Sequence, residues 1–175
     1  MERETIAFFQ KLITLRDICV TAANQFIGYQ PAPNGGMMRA SSLSFCTAVC
    51  LVIVGMTMGI AMAASGNHSV FPAHAHLNLL GWVSLFLIGI FYRFHPALDA
   101  SRIAFVQVVI WIIGTVVLTC GVAAIYLGRP DLEIIAVAGS LTVLGAMLLF
   151  AYLVFRSELS VTGQPKMVQG RLENA

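Results

Sequence analysis

The sequence predicts an all-α integral membrane protein: a four-transmembrane-helix bundle with an amphipathic helix in front of it. Composition is the first observation. Of 175 residues, 58% are hydrophobic and 10% charged, whereas soluble domains carry about 25% charged residues. Too few polar side chains are present to cover a surface facing water, and the mean hydropathy of +0.85 agrees. The second observation is four apolar runs, at 42–64, 72–92, 103–127 and 132–155, with no Asp, Glu, Lys or Arg in their middles. Each approaches or exceeds the ~20 residues that cross a hydrocarbon core. The third is physical: lipid offers the backbone no hydrogen bonds, so every such run must be a helix.

The elements follow in order. Over 1–27, Ile6, Phe9, Leu12, Ile13, Ile18, Cys19, Ala22, Ala23 and Phe26 recur at near-helical spacing among Glu2, Arg3, Glu4, Lys11, Arg16 and Asp17. This predicts an amphipathic helix lying on the membrane or on the bundle. Two prolines and three glycines make 28–38 a linker, and Met37 or Met38 is an alternative start. The first unit is thus 1–40, the membrane domain 41–156, and 157–175 a polar tail. The first run ends Ala61-Met62-Ala63-Ala64-Ser65 behind Arg39, like a cleavable signal. It is longer than the roughly 7–15 apolar residues of such signals, which favours a retained helix. Gly55 and Gly59 form one GxxxG, which permits close helix packing. Trp82 and Trp111, well inside their runs, are read as packing residues. Cys19, Cys46, Cys50 and Cys120 form no CxxC pair and read as small buried apolar side chains.

Charge sets the orientation. Arg3, Lys11, Arg16, Arg39, Arg93, Arg102, Arg156, Lys166 and Arg171 fall on one side of the membrane, and Arg129 alone on the other. The positive-inside rule then places both termini in the cytoplasm of a bacterial inner membrane and exposes loops 65–71 and 128–131 outside. A net charge of +2 says little by itself, and no basic cluster is dense enough to suggest a nucleic-acid partner, so none is expected.

The chemistry lies in the histidines: His68 in the first outer loop, His74 and His76 opening the second run behind Pro72, and His95 at its inner end. Ionisable groups near the membrane tend to be functional. Two residues along a helix is a rotation of about 200°, so the rings of His74 and His76 diverge and suit two separate sites. Neutral imidazole binds iron, copper or zinc, and a flat cofactor on each side of the helix fits the apolar surroundings. Asn78 shares the face of His74 but lies too far along to be assigned to its ring. Gly81, a further turn on, leaves room for a bulky partner. His95 is a membrane thickness away, roughly 30 Å, and cannot share the site.

The run Ala73-His74-Ala75-His76, followed by Leu79, Gly89, Phe91 and Pro96, resembles the tenth helix of haem–copper oxidase subunit I, whose HxH motif binds two haems on its two sides. The stretch HLNLLGWVSLFLIGIFYRFHP is also similar to the second helix of the nitric oxide reductase branch. The resemblance implies axial ligation by both residues: His74 to a high-spin haem, His76 to a low-spin one. It also implies that four helices make one arc of a twelve-helix ring, so that a homotrimer rebuilds it, with His76 of one chain and His74 of the next sharing a haem. The chain departs from the family in having no adjacent His-His pair and no carboxylate in the middle of an apolar run. Oxygen reduction at a haem–copper centre is therefore not expected, and any enzymatic role would be oxidoreductase-like.

The functional expectation is a membrane haem b protein that transfers electrons, or senses gas or redox state, near the external face. Its partners would be lipid, further copies of itself and a redox protein or quinol. Arg129 is the candidate to neutralise haem propionates. Met56, Met58 and Met62 are candidate soft ligands, or fill gaps in the core. Two alternatives remain: copper handling by His68, His74 and His76, or an accessory or assembly subunit of a respiratory complex.

Overall fold

A computed structural model of the chain describes residues 38–162, with side chains as far as 159. The amphipathic helix read over 1–27, nearly all of the linker and most of the tail lie outside the described residues. Among those described, four helices are long and apolar enough to span a membrane. They are α1 (Ala40–Ser65), α2 (Phe71–Phe94), α3 (Arg102–Tyr126) and α4 (Glu133–Thr162). A single turn, Pro96–Asp99, joins α2 to α3, and a 3-10 turn, Pro130–Leu132, leads into α4. The helices follow the apolar runs to within two residues, except that α4 runs well past 155, because capping and turn residues, not hydropathy, decide where a helix stops. Gly66, at φ 66°, closes α1, in the left-handed conformation that glycine adopts without strain. The Ser101 hydroxyl accepts the Ala104 N–H at 3.2 Å and opens α3. With no such stop near residue 156, α4 carries the first residues of the polar tail on to Thr162.

The helices pack mainly on their neighbours in sequence, α1 on α2, α2 on α3 and α3 on α4. Lipid gives helices no hydrophobic reason to associate, so close backbone approach and buried hydrogen bonds hold them. Between α3 and α4 the approach is at its tightest. A methyl on Gly121 would collide with the Ala136 backbone, and one on Gly139 with the backbone of Leu118.

Buried polar groups tie the other seams. The Tyr92 hydroxyl donates to Gln107 Oε1 at 2.9 Å, and Gln107 Nε2 donates to the Ala146 carbonyl at 3.2 Å, linking α2, α3 and α4. Phe150 of α4 meets Phe91 and Tyr92 edge-on, with centroids at 5.2 and 5.8 Å. Asp99, 2% exposed, accepts both the backbone N–H of Ser41 at 2.7 Å and its hydroxyl at 2.9 Å. A carboxylate from the α2–α3 connection therefore caps the first turn of α1.

Trp111 is a packing residue, 2% exposed, but Trp82 is 42% exposed. In a helix apolar on every side, residue type does not disclose which face turns inward, and Trp82 falls on the outer one. Cys120 is likewise exposed, against the buried reading. The outward faces, with Ile53, Ile60, Leu79, Leu87, Leu141 and Leu148, are those of a lipid-facing surface.

Candidate functional site

His74 turns toward α1 of its own chain. A methyl on Gly59 would stand 3.1 Å from Cε1 of His74, and one on Gly55 2.5 Å from Oδ1 of Asn78. The two helices run antiparallel here, so a step of four residues down α1, from Gly59 to Gly55, matches a step of four up α2, from His74 to Asn78. The GxxxG motif and the His74–Asn78 pair are thus two halves of one seam, each side chain seated where a glycine offers no Cβ. Asn78, set aside as too distant, reaches the ring. Its Nδ2 donates to the His74 carbonyl at 2.8 Å and lies 3.3 and 3.4 Å from Nδ1 and Nε2. The amide is nearly equidistant from the two ring nitrogens, of which only the unprotonated one can accept from it.

The room expected at Gly81 is taken by Leu51 of α1, whose Cδ1 lies 2.9 Å from where a Cβ would be. Gly81 therefore lets the helices close; it leaves no space for a cofactor. It also lies inside an unforeseen feature: Leu77–Ser84 is a π-helix within α2. The wider turn spoils regular carbonyl bonding, and the indole of Trp111 donates to the Leu80 carbonyl at 3.1 Å. Such segments occur often at functional sites, and this one begins immediately after His76. The mid-helix glycine Gly81 is the one residue of that segment whose type hinted at irregular backbone.

The ring of His76 is held differently. Its Nδ1 lies 2.7 Å from the Pro72 carbonyl. A carbonyl can only accept, so Nδ1 carries the proton and Nε2 keeps its lone pair in the neutral ring. His76 is half-buried, and the α2 side chains Leu79, Val83 and Leu87 beyond it are exposed and apolar. On α3, one and two turns past Trp111, the buried hydroxyls of Thr115 and Thr119 have no hydrogen-bond partner among the described residues. Orphaned buried hydroxyls mark places where water or a polar group of a ligand completes the bonding.

The remaining candidates lie apart. His68 is exposed, with Nδ1 3.3 Å from the Gly66 carbonyl. Among the described residues no three His, Cys, Asp or Glu side chains gather as a metal-binding group, so His68, His74 and His76 do not converge as the copper alternative required. Arg129 is engaged by Asp131, with Nη2–Oδ2 at 2.9 Å and Nε–Oδ1 at 3.1 Å, a bond that raises the guanidinium pKa. Met62 is 6% exposed, a core residue, while Met56 is exposed.

His76 and His74 would offer an iron porphyrin different surroundings. His76 offers a fixed tautomer, an available Nε2 and an apolar flank. At His74, Gly59 of α1 lies against Cε1 of the ring and the Asn78 amide lies near both ring nitrogens. No family model, no curated protein and no solved structure matches the chain.

Proposed function

We propose that this is a haem b protein of a bacterial cytoplasmic membrane, with His76 as an axial ligand, and that it carries electrons near the face opposite the chain termini. The supporting observation is the bond from His76 to the Pro72 carbonyl at 2.7 Å. Outer hydrogen bonds of this kind orient a ligating imidazole and raise its basicity. Bound iron would supply a one-electron couple. The chain's own residues would do the rest: the Pro72 carbonyl holds the ring, the exposed apolar face of α2 would lie against the macrocycle, and Asn78 with Gly59 seats His74 against α1.

A half-buried ligand at the edge of one chain asks for a second copy to cover the cofactor. The open succession of helices, each on its neighbour, is compatible with the arc of a homotrimer. His74, turned inward, then orders the seam behind the site, and His76 faces the next copy. Arg39, Arg93, Arg102 and Arg156 lie at one end of the described helices and Arg129 at the other, which supports cytoplasmic termini. A redox protein or a quinol at the outer face would be the electron partner. A second reading, an accessory subunit packed on a respiratory complex, is favoured by the exposed Trp82 and Phe86 on α2.

The test is the visible spectrum of the full-length protein, expressed with haem supplied and purified in mild detergent, dithionite-reduced minus air-oxidised. Sharp Soret and alpha bands lost in H76A support the proposal. A colourless wild-type protein overturns it and leaves the accessory reading.

A further inference from the structure

At the opposite end of the bundle, where α2 ends, α3 begins and α4 leaves the apolar region, the structure holds a cleft of about 560 Å³. That size falls within the roughly 300–1,000 Å³ of small-molecule sites. Its lining is divided in character. His95, Ser101, Arg156 and Ser157 contribute polar groups, while Phe94, Ile103 and Leu153 contribute an apolar wall. Phe94 and Ile103 are also exposed on the outer surface, so the wall continues into the lipid-facing side.

The polar groups have defined roles. His95 ends α2, stacked on Phe91 with centroids at 4.2 Å, and its Nδ1 bonds the Phe91 carbonyl at 2.7 Å. The carbonyl can only accept, so in the neutral ring Nε2 is left as an acceptor. Arg156 brings a permanent positive charge. Arg93 and Arg102 adjoin lining residues in sequence, and Asp99, the nearest buried carboxylate in the connection, is committed to Ser41. Glu158, next to Ser157, is the further carboxylate among the described residues there, so Arg93, Arg102 and Arg156 still leave this end net positive at the level of the headgroups, above an apolar wall.

We propose that this cleft binds one anionic phospholipid of the leaflet at that end, with its phosphate at Arg156, a headgroup hydroxyl at Nε2 of His95 and an acyl chain along Ile103, Leu153 and Phe94. A zwitterionic headgroup would bring its own cation to Arg156 and bind less well. A free phosphate would leave the apolar wall unused. The inference rests on the membrane-spanning fold and not on the haem proposal.

The experiment is native mass spectrometry of the full-length protein, delipidated in detergent and then offered phosphatidylglycerol or phosphatidylcholine of identical acyl chains. The expected result is one phosphatidylglycerol retained in preference, undiminished by added inorganic phosphate. R156Q lowers that preference about fivefold, the contribution of one basic residue at an anionic surface, while R129Q at the other end leaves it unchanged. Equal retention of the two lipids by the wild-type protein overturns the proposal, whether or not R156Q survives extraction. So does an equal loss in R156Q and R129Q, or displacement by phosphate alone.

Discussion

Gly59 lies against His74, with only 3.1 Å between the position of an added methyl and Cε1 of the ring. One turn away, Gly55 meets Asn78 more closely still, at 2.5 Å. The Asn78 amide is tied to the His74 carbonyl at 2.8 Å and cannot swing aside freely. Gly55→Ala should therefore cost more stability than Gly59→Ala, about 1–3 kcal/mol as overpacking does. Thermal unfolding of the two variants in one detergent measures this, and a reversed order would mean that Asn78 gives way more easily than His74.

Removing the carboxylate of Asp99 takes away two acceptors from the first turn of α1 at once. Asp99→Ala should lower stability by about 1–2 kcal/mol, as loss of a helix cap does. Hydrogen exchange should rise at the amides of residues 41–44 before the rest of α1. Uniform exchange along the helix would argue against a capping role.

The chain from Tyr92 through Gln107 to Ala146 makes a coupled prediction. Gln107→Leu strands a buried hydroxyl and a carbonyl and should cost about 1–3 kcal/mol. Adding Tyr92→Phe to it should recover part of the loss, because the hydroxyl is then no longer unpaired. A double-mutant cycle on unfolding free energies reads this coupling; strict additivity would show that Tyr92 and Gln107 act independently.

Trp111→Phe removes the donor to the Leu80 carbonyl at a cost of about 1 kcal/mol. Faster amide exchange should appear at residues 81–85, within and just after the π segment. If exchange there does not change, the π-helix is held by packing and not by the indole.

For the proposed cofactor, His76→Ala should abolish the haem bands, while His74→Ala should chiefly destabilise the α1–α2 seam and leave haem bound. Spectra and melting curves of the same preparations separate the two effects. Bands lost in the His74 variant with its melting point intact would restore His74 as a ligand.

The membrane helices were legible because lipid reduces the problem to finding apolar runs, and divergence of the two HxH rings follows from helical rotation alone. The pairing of Gly55 and Gly59 with Asn78 and His74 was not legible. It depends on the register between two antiparallel helices, and nothing in either segment alone states that register. Asp99 was missed for a related reason: a single acidic residue in a polar connection looks solvated until α1 is placed beside it. The inward or outward sense of Trp82 was hidden because every face of its helix is apolar.

The two halves of the bundle are joined by different materials. Where α3 meets α4, backbone lies on backbone at Gly121 and Gly139, and nothing there can rotate. Where α1 meets α2, the contact is made by side chains with torsional freedom, one of them a titratable ring. The α3–α4 hairpin is a fixed frame, and the α1–α2 seam is the one whose closeness depends on how two side chains are seated.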